Sequence, residues 1–271
     1  FKENILKASE YIQRNSFIER KNSAQKKGLL RGLGVGCFLE TARGAPQEGV
    51  GIKFTESGKI EISVGTESNG QGHETTFKQI ASTRLGVPIE VLEYIQADTE
   101  QVTIGFGHGG ARSMHMGAGT MALAIDSAIE KAGRVAATLL QTDIEELSFD
   151  KGAFLTSKDQ RSVSIIEVAS AARNSDIMPS LGENGIDTFY KREEAPFTFP
   201  NGCHAAEVEI DPDTGSLKLV DYVMVDDYGT LVNSALTEGQ LHGGVVQGIG
   251  QAPVSYTHLR AHETEADLVC R

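Results

Sequence analysis

Lys59-Ile60-Glu61-Ile62-Ser63-Val64, with the loop Ser68-Asn69-Gly70-Gln71-Gly72-His73 and the run to Leu85 that follow it, decides the fold. The first six residues alternate between apolar and polar, the pattern of a strand with one buried face. After the loop, Thr76, Phe77, Ile80, Ala81 and Leu85 recur at helical spacing. A strand, a glycine-rich turn and a helix in direct succession belong to an α/β arrangement. Such a turn presents backbone N–H groups at a helix N-terminus, where an anionic group is favoured.

The same device recurs once. Gly105-Phe106-Gly107-His108-Gly109-Gly110-Ala111-Arg112-Ser113 leads into Met116 to Leu140, rich in alanine, methionine and leucine, which predicts a helix largely buried in a core. Val50 to Phe54 is expected to pair with Lys59 to Val64 across Thr55-Glu56-Ser57-Gly58, and Val91 to Ala97 reads as another strand. Leu29 to Glu40 is apolar and studded with glycine. Phe149 to Thr156 predicts a short hairpin, Ile165 to Ala172 a short helix, and Pro179 to Glu194 a polar excursion without strong periodicity. His204 to Ile210 and Leu217 to Val225 read as strands joined by the tight turn Asp211-Pro212-Asp213-Thr214-Gly215. The expectation is one α/β unit of mixed sheets and helices (α+β mixed) over residues 1–252, without internal repeats.

Composition narrows the function classes. The 271 residues are 39% hydrophobic and 23% charged, with a net charge of −12 and no apolar run long enough to cross a membrane. That charge argues against a nucleic-acid surface, which needs clustered Lys and Arg. The basic cluster at residues 19–31 reads as a solvated helix end and loop. Three cysteines, Cys37, Cys203 and Cys270, are too few and too scattered for a disulfide framework or zinc knuckle, and a reducing cytoplasm is expected.

The chain opens at Phe1 in the amphipathic run Ile5, Leu6, Ala8, Tyr11, Ile12, and is expected to begin inside a longer polypeptide. The helical stretch Ala235 to Gln251 is expected to stop at Ala252-Pro253. Val254 to Glu265 resembles a translated adapter sequence, so residues 253–271 read as a non-native tail. Within it, His258 and His262 have the spacing of a zinc pair but lack the HExxH order and a third ligand.

Taken one at a time, the remaining features have plain readings. His73, His108 and His115 sit in or beside loops without a zinc pattern, Cys37 and Cys203 read as packing thiols, and Asp226-Asp227 as a turn or hydrogen-bond pair. Arg112 would serve as a surface arginine, a partner of Asp98 or a phosphate contact. Gln247 alone is an ordinary helix residue. Gly32-Leu33-Gly34-Val35-Gly36 has the wrong spacing for a dinucleotide-binding turn.

The motifs taken in order say more. Gly65 to Thr75, Gln79-Ile80-Ala81, Leu85-Gly86-Val87-Pro88, Asp98-Thr99 and Gly110-Ala111-Arg112-Ser113 resemble the molybdenum-cofactor-binding subunit of the xanthine dehydrogenase and aldehyde oxidase family. Its bacterial branch with the carbon monoxide dehydrogenase large subunit is the most similar. Phe199 to His204, Glu207 to Pro212, Val225-Asp226-Asp227, Gly229, Asn233, Glu238-Gly239-Gln240 and His242 to Gln251 continue the match, over nearly all of residues 1–252.

The resemblance implies a molybdenum–molybdopterin cofactor, with a dinucleotide extension, such as the cytosine form, among the options. Gly70, Gln71 and Gly72 would bind pterin and phosphate, Ala111, Arg112 and Ser113 form the second cofactor loop, and Gln247 is a third contact. It implies hydroxylation of an aldehyde, an N-heterocycle or carbon monoxide with oxygen from water, and electrons leaving through iron–sulfur and FAD partners in a hetero-oligomer. The family's catalytic glutamate and substrate loop match no residue here, so no catalytic residue and no protein metal ligand is assigned, and the fragment is expected to be inactive alone. The competing reading is a non-catalytic module on the same scaffold.

Overall fold

An early strand finds its partner near the far end of the chain, and that pairing sets the layout. The computed structural model describes residues 1–174 and 184–258, with side chains to residue 252. The chain opens with α1 (Lys2–Tyr11), α2 (Phe17–Gln25) and β1 (Leu30–Leu39). Next come β2 (Glu48–Phe54), β3 (Ile60–Val64), α3 (His73–Leu85), β4 (Leu92–Ile95) and α4 (Gly119–Leu140), the last continuing a π-helical turn over Ser113–Ala118. After β5 (Leu147–Asp150), β6 (Ala153–Thr156), β7 (Ser162–Ser164), α5 (Ile165–Ala172) and β8 (Thr188–Arg192), the chain ends in β9 (Asn201–Ile210), β10 (Leu217–Asp227) and α6 (Ser234–His258).

The fold is mixed α/β, as expected from the sequence, and the chain divides into two compact units. Phe1–Glu40 joins Phe199–Arg271 in one unit, and Thr41–Thr198 forms the other. The cause is the antiparallel pairing of β1 with β9, which makes the second unit an insertion. Local periodicity finds strands, but it carries no information about partners so distant in sequence.

In the inserted unit, a four-stranded sheet has the order β4-β3-β2-β8, antiparallel except for β3 and β4. The alternation in β3 is realised: Ile60, Ile62 and Val64 are buried while Glu61 and Ser63 are not. They meet Phe77, Ala81 and Leu85 of α3 and Met121, Ala124, Ile125 and Ala128 of α4 in one apolar cluster. The alanines at Ala124, Ala128, Ala132 and Ala136 form a narrow seam on α4, short enough in side chain to seat the helix close to its neighbours. Strands β5, β6 and β7 form a small antiparallel sheet, of which β7 was not foreseen. Ser164 and Glu167 close a capping box at the start of α5. The polar excursion over Pro179 to Glu194 contains β8, an edge strand whose register comes from β2 rather than from its own pattern; residues 179–183 of it lie outside the described residues.

In the other unit, Lys21, Lys26 and Lys27 of the basic cluster are exposed as expected, but its arginines are engaged. Arg20 of α2 and Arg31 of β1 converge on Glu207 of β9, at 2.6 Å each, with the Glu207 side chain 1% exposed. The two guanidinium groups hold that carboxyl below the usual range, the Arg20 bond first among the causes. Cys37 and Cys203 stand directly opposite across β1 and β9, so the thiols are neighbours rather than scattered, and Cys203 lies inside a strand. Both are free; burial pushes the Cys203 thiol up to about 11, which suits the expected packing role, whereas Cys37 is exposed and does not fill one. Asp226 accepts from the Tyr228 hydroxyl and lies 3.0 Å from His204 Nε2, while Asp227 accepts from the Gly229 N–H, so the acidic pair is built into the sheet end. The turn after β9 closes through Gly215, with φ +70°, and the Asp211 carboxylate.

Helix α6 continues past the expected stop, through Pro253 to His258. Proline lacks one helical N–H, yet its fixed φ is helical, so the backbone can carry on. The tail from 259 onward, including His262, lies outside the described residues. Among the described residues, no helix is long and apolar enough to cross a membrane.

Candidate functional site

The loop between β3 and α3 is shaped by its own polar groups. Gln71 Oε1 accepts from the Asn69 N–H at 2.7 Å and from the Ser68 hydroxyl at 3.3 Å, and its amide nitrogen donates to the Glu67 carbonyl. The Ser68 N–H donates to Gln96 Oε1, tying the loop to the segment after β4. Gly70 and Gly72 have φ of +124° and +77°, which side chains resist. Gly72 is the N-cap of α3 and leaves that terminus with no side-chain cap, so the first N–H groups of the helix stay open to a ligand.

The second loop is held from beneath by Arg112. Its side chain and that of Glu48 are both 0% exposed, with Nη1 2.7 Å from Glu48 Oε2. The same guanidinium donates to the carbonyls of Ala45, Gln47 and Gly107. Arg112 is thus neither a surface residue nor a partner of Asp98, whose carboxylate accepts from the Gln101 side chain and the Glu100 N–H. Burial pushes the Glu48 carboxyl above the usual range, opposed by the guanidinium and by the Gly65 and Gly49 N–H groups.

The two loops stand side by side. Thr66 and Ser113 hydroxyls lie 2.9 Å apart, and Asn69 Nδ2 is 3.4 Å from His108 Nε2. A Cβ on Gly105 would meet the Gly65 backbone, so the pair of glycines permits the approach. Around this junction, the buried Nδ1 atoms of His73 and His108 have no hydrogen-bond partner. Burial, and then the nearby His108, lowers His73 to about 4, so its imidazole is neutral at physiological pH. Gly70 and Gly109 face open space where a side chain would stand. An uncapped helix start, open glycine positions and orphaned imidazole nitrogens fit an anionic ligand rich in hydrogen-bonding edges.

The structure therefore brings together Gly70, Gln71 and Gly72 with Ala111, Arg112 and Ser113. Gln247 belongs to the other unit, exposed on α6. Sequence reasoning missed Glu48, Thr66 and Gln96. A signal for Glu48 existed: it shares its phase along β2 with Val50, Ile52 and Phe54, all buried, and a carboxylate on an inward face needs a cation.

A family described as molybdopterin cofactor-binding domain matches residues 4–260. The chain is 32% identical to the nicotine 6-hydroxylase large subunit of Paenarthrobacter nicotinovorans, over 92% of this chain and 32% of that protein. It is 30% identical to the carbon monoxide dehydrogenase large chain of Hydrogenophaga pseudoflava, with the same coverage of 92% and 32%. The crystal structure of the Cu,Mo-CO dehydrogenase in its carbon monoxide reduced state superposes with a TM-score of 0.83 at 28% identity, covering 93% of this chain and 34% of that one. Quinoline 2-oxidoreductase from Pseudomonas putida 86 superposes with a TM-score of 0.81 at 29% identity, covering 92% and 33%. The chain spans about a third of the length of the curated relatives it matches.

Proposed function

The chain belongs to the molybdopterin cofactor-binding domain family, and from that premise we propose that it is the cofactor-gripping part of a molybdenum hydroxylase. Gly70, Gln71 and Gly72 at the open start of α3, with Ala111, Arg112 and Ser113, line the side of the site that receives the pterin and its phosphate. For Gln247, on α6 of the other unit, a pterin contact rests on the ordered motifs alone. The observation that carries this reading is the junction of the two loops through Thr66 and Ser113 at the uncapped α3 N-terminus.

In this reading, the chain's own residues bind and orient. Open N–H groups of α3 and of the second loop meet negative charge, and the Gln71 amide exchanges its bonds to Asn69 and Glu67 for an edge of the pterin. Ser113, Asn69 and the neutral His73 add hydrogen-bonding groups around them. When bound, the molybdenum centre supplies two-electron oxidation with oxygen taken from water. The substrate class is that of the relatives, an N-heterocycle, a purine, an aldehyde or carbon monoxide, and the electrons pass to iron–sulfur and FAD subunits in a cytoplasmic hetero-oligomer. No residue of 1–252 is assigned as the catalytic base or to a substrate loop.

The test is to produce the complete polypeptide together with the subunits encoded beside it, and to measure molybdenum and pterin in the purified assembly. Near-stoichiometric amounts of both, with oxidation of one of those substrate classes, are expected. An assembly free of metal and pterin would overturn the proposal.

A further inference from the structure

We infer that Glu48 and Arg112 are positioning residues, a buried carboxylate–guanidinium lock that fixes the second loop so that its main-chain N–H groups, and not the guanidinium, meet the anionic part of the pterin. The inference rests on the cofactor site proposed above, and it changes the part played there by Arg112 from ligand contact to strut.

The first ground is enclosure. The Arg112 side chain is 0% exposed, with Nη1 2.7 Å from Glu48 Oε2 and three of its five N–H donors bonded to the carbonyls of Ala45, Gln47 and Gly107. Turning it toward a ligand would strand a buried carboxylate and free three carbonyl acceptors, a cost that one phosphate contact does not recover. The bonded carbonyls come from two places, the strap at residues 45–47 and Gly107 of the loop itself, so one guanidinium binds loop and strap together. Gly44 completes the fit, because a Cβ there would collide with the Gly109 carbonyl, and one on Gly110 would fall 2.6 Å from Gly44 Cα.

The second ground is the backbone just above the lock. Ala111 has φ +53°, a conformation uncommon for a residue with a side chain, and Arg112 returns to the right-handed region at φ −91°, ψ −18°. A left-handed residue followed by a right-handed one turns successive N–H groups toward the same side, the arrangement that cradles anions. Strained backbone of this kind persists where its surroundings hold it in place, and the adjoining lock does so.

Glu48→Gln separates the two roles of Arg112, because it removes the competing negative charge. If the guanidinium met the phosphate directly, that change would release it, and pterin retention would hold or rise. If Arg112 is a strut, the change leaves a buried cation without its partner, and pterin per chain in the purified assembly falls roughly tenfold or more. Glu48→Asp, which keeps a carboxylate, restores part of the loss. Full retention in Glu48→Gln overturns the lock while the proposed function stands, whereas an unaltered assembly without pterin overturns both. Hydrogen exchange on the unaltered assembly, loaded against cofactor-stripped, decides the matter should Glu48→Gln fail to fold. Slowed exchange at amides 107–112 on loading supports the lock, and unchanged exchange there overturns it.

Discussion

The hydroxyls of Thr66 and Ser113, 47 positions apart in the chain, are hydrogen-bonded at 2.9 Å, and that bond joins the two glycine-rich loops. Thr66 is fully buried, so its hydroxyl has no water to fall back on. Thr66→Val and Ser113→Ala should each destabilise the inserted unit. In a double-mutant cycle followed by denaturant unfolding, the pair should show a coupling of about 1 kcal/mol. Additive effects would mean that the loops are joined by something else.

Gly65 has no room for a side chain. A Cβ there would run into the Ile104 carbonyl and the Glu48 carboxylate, and would lie 2.6 Å from Gly105 Cα. Gly65→Ala should therefore cost about 2 kcal/mol or more by overpacking, and should spread the loops. Gly109→Ala, with nothing within 4 Å of its Cβ, is the control and should stay within about 0.5 kcal/mol of the parent. Comparing the melting temperatures of the two variants checks the contrast.

Glu207 ties three elements, since it receives Arg20 from α2 and Arg31 from β1 while sitting on β9. Glu207→Gln leaves both cations facing an uncharged amide, at a cost of about 3 kcal/mol. Its carboxyl is held below the usual range by those cations, so the stability it contributes is present at neutral pH and is lost as pH falls through the carboxylate range. Unfolding of the parent and of Glu207→Gln should converge at low pH. Parallel curves down to pH 2 would contradict this account.

His73 works in the same direction through a different group. Its folded value of about 4 lies below the ordinary 6.5, so the folded chain binds fewer protons than the unfolded one between those limits. Stability is full above pH 6.5 and declines as pH falls toward 4, by up to roughly 3 kcal/mol once both states are protonated. His73→Gln should flatten that slope in melting temperature measured from pH 7 to 4. An unchanged slope would assign the pH dependence to other groups.

Several elements were legible from residue order because their signals are local. The alternation in Lys59 to Val64, the spacing of Phe77, Ala81 and Leu85, and the bounds of α5 over Ile165–Ala172 each arise from contacts one to four residues apart. Strand β8 was hidden because an edge strand takes its register from β2, its single neighbour, and the stretch around it has no pattern of its own. Helix α6 ran past Pro253 because the rule that ended it weighs a missing N–H but not the proline's helical φ.

By itself, residue order determined the strand, loop and helix devices, their glycines, and through their ordered motifs the family to which the chain belongs. Which groups face each other was decided only by the folded chain. Glu48 lies 64 positions from Arg112, and Cys37 lies opposite Cys203. Such pairings depend on how sheets and helices pack, so the partner of a buried charge cannot be read from its neighbours in sequence. A guanidinium that looks available to a phosphate on paper is, in the tertiary structure, enclosed by carbonyls and a carboxylate, because an unpaired charge in that core would cost more than the fold can bear.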